Sequence, residues 1–258
     1  MGKPQGNKAA NLMALRDAGF YVPAFLVFSA DDKLSQVHAQ VSSFFDSSTK
    51  LAIRSSSALE DGTDQSFAGA FHTEINVKAE TFDSAWAKVV ASLDTSKDGI
   101  IVQEMIFGEL SGVLFTNAKA QKAMINTLHG LCKPVVEGAD CDHFEFEKNE
   151  LVFSHIAENK TGLFYENNEL VEQPITESAE LSILKELVQV GFKIEAHFGK
   201  PQDIEWTYKN EQIVILQARP ITKNPWLASE TILYDSANVG ESYGGIVSPL
   251  TATFAQNL

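Results

Sequence analysis

The chain has 258 residues, of which 44% are hydrophobic and 21% charged, a composition typical of folded globular proteins. Its formal net charge of −14 and pI of about 4.8 argue against a general nucleic-acid binder, which would normally carry a basic surface. No stretch approaches about eighteen uninterrupted apolar residues and the N-terminus lacks a signal-peptide core, so we expect no membrane segment and a cytoplasmic location.

The first part of the chain alternates helix and strand signals. Residues 8–18 carry apolar residues at helical spacing, and Gly19 follows as a residue typical of a helix end. The other elements predicted here are a strand over 24–29, a helix over 32–45, a strand over 50–57, a strand or hairpin over 66–77 and a helix over 81–93.

The second part is richer in strands. The predicted elements are two strands over 99–117 broken near Gly108, short strands over 120–175 with turns at Lys148-Asn149 and Asn167-Asn168, and a helix over 177–199. Helices and strands are interspersed without a regular strand–helix–strand alternation. This pattern predicts an α+β fold with two lobes.

The stretch "DIEWTYKNEQIVILQARP" (203–220) predicts a β-hairpin with polar residues in unusual places. Side chains two apart on a strand share a face, so Asp203 and Glu205 point together. A tight two-residue turn at 209–210 would separate Glu205 from Gln217, whereas an odd-numbered loop would place Glu205 opposite Gln217 and Asp203 opposite Arg219. We therefore predict an odd-numbered loop.

Such a hairpin would gather two carboxylates, an amide oxygen and a guanidinium on one face. Oxygen ligands of this kind suit Mg²⁺, and an arginine at the same place would hold a phosphate. The alternative, which the hairpin alone leaves open, is a solvated sheet face with a cross-strand Asp–Arg pair.

Two other segments carry the parts of a phosphate site. "LAIRSSSALEDGTDQSFAG" (51–69) places Arg54 at the end of an apolar strand, followed by three serines, and an ordinary Ser/Gly-rich loop is the alternative. "GNKAANL" (6–12) places Lys8 at a helix N-terminus, which favours anions, and an ordinary solvated lysine is the alternative. The chain has only three arginines, of which Arg54 lies in the 51–69 segment and Arg219 in the hairpin.

Four motifs in order carry a family resemblance: "GNKAANLMALRDAGFYVP", "IRSSSALEDGTDQSFAG", "VQEM…SGVLFT" and "GKPQDIEW…ILQARPIT". They closely resemble the ATP-binding domain of phosphoenolpyruvate synthases, pyruvate phosphate dikinases and rifampicin phosphotransferases, over most of residues 6–222. The resemblance implies an ATP-grasp fold, in which two α+β lobes enclose a nucleotide cleft. The division that follows is a first lobe at 1–104, a second lobe at 105–224 and a linker at 225–258.

The resemblance also implies a role for each motif residue. The residues expected at the phosphates and their loop are Lys8, Arg54, Ser55, Ser56, Glu60 and Asp61. The inter-lobe segment beside the adenine would be formed by Gln103, Glu104 and Met105. Glu205 and Gln217 would hold Mg²⁺ with Asp203 nearby, and Arg219 would grip the transferred phosphate. Arg54 and Arg219 are thereby the catalytic candidates.

In this family a histidine on a separate swivelling domain attacks the β-phosphate of ATP. None of the six histidines stands in the Thr-X-His-Ala setting of that residue, so the resemblance implies only the nucleotide half of a phosphotransferase, as a fragment or a natural subunit. We take a phosphoenolpyruvate synthase-like dikinase as the default, with pyruvate, an antibiotic or a glucan as possible final acceptors. The alternative is a degenerate module that binds ATP without phosphotransfer.

Two departures from the family pattern stand out. The usual "GLGE" turn is replaced by "GLCK", in which Cys132 and Lys133 stand for Gly and Glu, so backbone freedom and charge both change. Residues 29–50 are also fewer than is usual, which predicts a reduced helical part of the first lobe. Cys132 and Cys141 lack metal-ligand spacing and are expected to be free thiols, with one disulfide as the alternative.

Overall fold

A computed structural model describes residues 6–57, 72–93 and 98–221. Two larger sheets and one hairpin carry most of the chain. The first sheet has four antiparallel strands in the order β1-β4-β2-β3, with bounds β1 Phe25–Ser29, β2 Leu51–Ser56, β3 Thr73–Val77 and β4 Gly99–Glu104.

Alternation along the central strands gives this first sheet two buried faces. Ile53, Ile100 and Val102 point to one side, where they form a core with α2 (Leu34–Phe44) and α3 (Phe82–Ala91). On the other side Ile101 packs against α1 (Asn7–Asp17). Helix α1 therefore lies on the opposite face of the sheet from α2 and α3.

The second sheet has six antiparallel strands in the order β12-β11-β5-β6-β7-β8. Their bounds are β5 Leu110–Asn117, β6 Lys122–His129, β7 Asp142–Glu147, β8 Glu150–His155, β11 Gln202–Lys209 and β12 Gln212–Pro220. The long helix α5 (Leu181–Phe198) buries Leu184 and Leu187 in one core with Trp206. At Gly191 the helix is so close that a Cβ would lie 2.4 Å from a side-chain carbon of Leu114.

Two smaller elements complete the fold. The short helix α4 (Lys133–Val136) follows β6, and β9 (Lys160–Glu166) pairs with β10 (Glu169–Ile175) as a separate hairpin. Both pack near β5 and β6 on the face away from α5, around Val113 and Leu128. This face of the second sheet also carries the polar residues of β11.

The described residues confirm the α+β class and most of the predicted elements. The predicted turns at Lys148-Asn149 and Asn167-Asn168 are both present, with positive φ at each residue. The region 66–77 is described from residue 72 onward and forms β3, and the 225–258 segment lies outside the described residues. The division into lobes at 104 and 224 stays a prediction.

The structure corrects the predicted loop of the β11–β12 hairpin. The loop has two residues, Asn210 and Glu211, with φ of 50° and 60° as in a type I′ turn, so the odd-numbered loop was wrong. A β-bulge supplies the missing residue: Trp206 pairs with Ile215 and Glu205 with Gln217, leaving Leu216 extra. The predicted pairs Glu205–Gln217 and Asp203–Arg219 are therefore confirmed.

Two further expectations concern the cysteines and membrane-spanning segments. Both cysteines are free thiols, as predicted. In the part of the chain that the structure describes, no helix is both long and apolar enough to cross a membrane.

Candidate functional site

The start of α1 is fastened to the end of β2. The amide of Asn7 donates to the Ser57 carbonyl at 3.2 Å, and the amide of Ala9 donates to Ser56 Oγ at 3.0 Å. Gly6 makes this approach possible because its φ is 79° and a Cβ there would lie 2.1 Å from the Ser56 carbonyl oxygen. These contacts hold Lys8, the next residue of α1, beside the strand that carries Arg54.

The same helix also reaches the second sheet. The side-chain amide of Asn11 donates from Nδ2 to the carbonyl of Ala218 on β12 at 2.9 Å. Helix α1 contacts β2, β4 and β12 and therefore bridges the two larger sheets. This bridge brings the end of β2 towards the polar face of the β11–β12 hairpin.

Arg54 makes the central contact of the site. Its terminal nitrogen Nη2 donates to Glu205 Oε2 at 3.0 Å and to Gln217 Oε1 at 2.8 Å. The Arg54 and Glu205 side chains are only 13% and 17% exposed. Arg54 Nε is buried and has no hydrogen-bond partner among the described residues. A guanidinium from the first sheet thus joins the cross-strand pair of the second.

Arg219 is held by Asp203 next to this contact. Its Nε donates to Asp203 Oδ2 at 2.9 Å, its Nη2 lies 2.9 Å from the same oxygen, and the two side chains are 19% and 12% exposed. Asp203 therefore uses one carboxylate oxygen to orient the planar guanidinium. The structure places Asp203 as the partner of Arg219, and its predicted role near a metal stays a prediction.

Charge balance keeps Glu205 ionised in this partly buried position. Burial raises the pKa of the Glu205 carboxyl, but Arg54, Lys8 and Arg219 act against it, and the net shift is downward. The carboxylate is therefore available as an anionic ligand at neutral pH. The effect of Lys8 agrees with its position on α1, which is hydrogen-bonded to the end of β2.

Glu205 and Gln217 present oxygen donors of the kind that Mg²⁺ takes. Glu205 Oε2 and Gln217 Oε1 contact the same Arg54 nitrogen, so both oxygens converge on one point. Within the described ranges no three His, Cys, Asp or Glu residues gather as a metal site. A carboxylate and an amide oxygen fit Mg²⁺, which usually takes few protein ligands and completes its shell from phosphates and water.

The predicted adenine segment lies at the end of β4, where it leaves the first sheet. The amide of Glu104 donates to the Ala24 carbonyl at 2.8 Å, and that of Met105 donates to the Lys50 carbonyl at 2.9 Å. These amides are engaged in the sheet, so recognition of a base here would use carbonyls or side chains. The Gln103 side chain is 3% exposed, and its Nε2 has no partner within the described part of the chain.

The remaining loop residues are not all brought to the cluster. Ser56 caps α1, because its Oγ accepts a hydrogen bond from the Ala9 amide. Ser55 pairs with Ile100 and, by strand alternation, points to the other face of the sheet from Arg54. Glu60 and Asp61 lie outside the described residues. For Ser55, Ser56, Glu60 and Asp61 the nucleotide role stays a prediction.

The "GLCK" turn lies against the site from the second sheet. Burial raises the pKa of the Cys132 thiol well above its usual value, and the nearby Glu205 carboxylate adds to the rise. Cys132 Sγ donates to the Gly112 carbonyl at 3.4 Å. Lys133 instead points to the surface, where its Nζ lies 3.6 Å from Glu137 Oε1. The cysteine, not the lysine, is the substitution closest to the charged cluster.

One buried charged pair was not predicted from the sequence. Lys160 Nζ donates to both carboxylate oxygens of Asp142 at 2.8 Å and to the Glu177 carbonyl at 2.7 Å. The side chains are 2% and 3% exposed. The pair links β9 to β7 and to the segment before α5. Nothing in the sequence indicates that these two residues, 18 apart on different strands, would meet.

Comparison with known proteins identifies the family of this chain. The chain matches the family described as "Pyruvate phosphate dikinase, AMP/ATP-binding domain" over residues 26–98 and 94–235. The chain belongs to this family. It is 33% identical to a probable phosphoenolpyruvate synthase of Methanocaldococcus jannaschii over 67% of this chain and 17% of that protein. It is 30% identical to the rifampicin phosphotransferase of Bacillus subtilis over 71% of this chain and 25% of that protein.

Solved structures offer a more distant likeness. The D-alanine–D-alanine ligase from Bacillus anthracis is 12% identical, with a TM-score of 0.48 over 97% of this chain and 65% of that chain. Family membership therefore rests on the sequence match. The chain spans a sixth to a quarter of the length of the two relatives, so this similarity does not assign their complete activities to it.

Proposed function

We propose that this chain is the ATP-binding domain of a phosphoenolpyruvate synthase-like dikinase with an ATP-grasp fold. The observation that carries the proposal is the Arg54 guanidinium bound to both Glu205 and Gln217 between the two larger sheets. In a family of AMP/ATP-binding domains, a cleft lined by arginines and oxygen ligands suits a polyphosphate with its metal. A purely structural role would leave this partly buried charged cluster without a purpose.

The cationic residues have separate tasks in this proposal. Lys8 and Arg54 come from the first-sheet side and would neutralise the phosphate chain as it binds. Arg219, held in one orientation by Asp203, would contact the phosphoryl group that is transferred. Rigid positive groups that meet the charge of the transition state contribute most of the catalysis in phosphoryl transfer.

Glu205 and Gln217 would hold Mg²⁺, which when bound neutralises negative charge on the phosphates. The lowered pKa of the Glu205 carboxyl keeps that ligand ionised at neutral pH. The hairpin fixes the spacing of the two ligands, since they are cross-strand partners on adjacent strands.

The phosphoryl acceptor would be a histidine on a separate swivelling domain, in the same full-length chain or in a partner subunit. Its ring nitrogen would attack the β-phosphorus of ATP, so the bond to the α-phosphate oxygen breaks and AMP leaves. The nucleotide domain needs no covalent nucleophile of its own, and its work is to position and neutralise the phosphates. The domain that follows would choose the final acceptor.

Calorimetric titration of the chain with ATP, with and without Mg²⁺, tests the proposal. We expect binding that is strengthened by Mg²⁺, and we expect Glu205→Gln and Arg219→Ala to remove that Mg²⁺-dependent binding. Glu150→Gln is the matched control, because the Glu150 side chain is 74% exposed and its carboxylate pairs with Lys185 at the surface. Absence of ATP binding under both conditions, or full binding by either variant, would overturn the site assignment.

Transfer itself requires the histidine domain. Incubation of the full-length protein with ATP labelled at the β-phosphate should place label on a histidine. Binding of ATP without any labelled histidine would instead favour the degenerate module that only binds ATP.

A further inference from the structure

Arg54 occupies an unexpected place for a residue that is to contact phosphate. Its Nη2 lies at hydrogen-bond distance from Glu205 Oε2 and Gln217 Oε1, the two oxygens proposed as Mg²⁺ ligands. A cation at the same point would compete directly with this nitrogen for Glu205 and Gln217. The inference that follows rests on the proposed function of the site.

We propose that Arg54 is a gate for the metal ligands, so that a divalent cation binds only after nucleotide phosphate has drawn the guanidinium away. The gate joins two parts of the fold, since Arg54 belongs to β2 and its partners belong to β11 and β12. Opening the gate therefore exchanges one contact between the two larger sheets for a contact through the nucleotide.

The unsatisfied donor on Arg54 supports this exchange. Arg54 Nε is buried without a hydrogen-bond partner in the described structure, although buried donors are normally hydrogen-bonded. A phosphate oxygen can accept from Nε and from a terminal nitrogen together, the two-point geometry that arginine prefers. Phosphate thus offers Arg54 a better set of partners than it has with Glu205 and Gln217.

Electrostatics favours the same order of events. Arg54 contacts Glu205 directly, and the positive charges of Lys8 and Arg219 also act on this carboxylate. They repel a divalent cation that arrives alone. A polyphosphate brings negative charge to the same place, which removes the repulsion and attracts the cation.

The first test measures Mn²⁺ binding by electron paramagnetic resonance without any nucleotide. We expect weak binding by the wild-type chain and binding about tenfold tighter or more in Arg54→Met, because a positive charge in contact with the ligands is gone. The gain should vanish in Arg54→Met/Glu205→Gln. Arg16→Met is the control, since Arg16 lies on α1 beside Asp17, outside the cluster. A folded Arg54→Met that binds Mn²⁺ no more tightly than wild type overturns the gate.

A second test needs no change at Arg54. The chain has only three arginines, so the arginine Nε–H region of a ¹⁵N NMR spectrum is simple, and Arg16→Met removes one signal to aid assignment. The gate predicts that metal-free ATP shifts the Arg54 Nε–H signal downfield as it gains an acceptor. An unchanged Arg54 signal in a chain that binds ATP overturns the gate but leaves the proposed function standing. Failure to bind ATP at all overturns the proposed function instead.

Discussion

Removing Lys160 should destabilise the second sheet far more than removing an exposed lysine. Lys160 and Asp142 are 2% and 3% exposed, and the ammonium makes three hydrogen bonds of 2.7 to 2.8 Å. In Lys160→Met the Asp142 carboxylate stays buried and, among the described residues, keeps the Ala157 amide as a donor at 3.1 Å. Loss of one partner from a buried ion pair typically costs about 3–5 kcal/mol.

The assay is urea unfolding followed by circular dichroism, with hydrogen exchange of the β9 amides as a local measure. Lys122→Met is the matched control, because that lysine is 42% exposed and its partner Glu147 is 48% exposed. Exposed pairs of this kind contribute roughly 0–1 kcal/mol. The double variant Lys160→Met/Asp142→Asn should recover part of the loss, since no charge is left buried.

A Lys160→Met variant that loses less than about 1 kcal/mol would refute this reasoning. It would mean that the fold accommodates the buried Asp142 side chain without its cationic partner, against the usual cost of an unpaired buried charge. A double variant less stable than Lys160→Met would show that the pair stabilises by packing and not by charge.

Three further predictions concern the site and its supports. The folded-state pKa of Glu205 lies below its ordinary value of 4.5, so its ion pair with Arg54 stabilises the fold above that pH and is lost as the pH falls. The urea midpoints at pH 7 and pH 4 should therefore differ less in Glu205→Gln than in wild type. Gly6→Ala should lower the free energy of unfolding by roughly 1–3 kcal/mol and weaken ATP binding in calorimetry. Gly199→Ala is the control: it is also at positive φ, but a Cβ there would meet nothing within 4 Å, so it should cost less and leave ATP binding unchanged. Glu211→Gly should raise the urea-derived stability by about 0.5 kcal/mol, since a type I′ turn favours glycine at that position; a loss would argue against the turn.

The sequence was most informative where a residue type has few ordinary uses. Asp203, Glu205, Gln217 and Arg219 were predicted to share one face of the hairpin because carboxylates and arginines rarely fill a strand. The structure brings all four together. Periodicity likewise predicted the long helix and the turns, because helix ends and positive-φ asparagines leave local signals.

Contacts between distant segments left no such signal. The Lys160–Asp142 pair depends on how the β9–β10 hairpin packs near β7, and many lysines and aspartates of the chain are equally plausible partners. The role of Ser56 as the cap of α1 depends on the close approach that Gly6 permits. Both require the tertiary arrangement, which periodicity and composition do not contain.

The β11–β12 hairpin shows which part of a register a sequence can determine. If Glu205 pairs with Gln217, an odd number of the residues between them must stay unpaired. These residues can all lie in the loop, or they can be divided between the loop and a bulge. Asn210 favours the positive φ of a two-residue turn, whose twist suits a hairpin, so the extra residue moves into the strand at Leu216. A regular continuation from that turn would pair Glu205 with Leu216 and turn Gln217 towards the α5 core. The bulge thus satisfies the turn near one end of the hairpin and the polar cluster near the other.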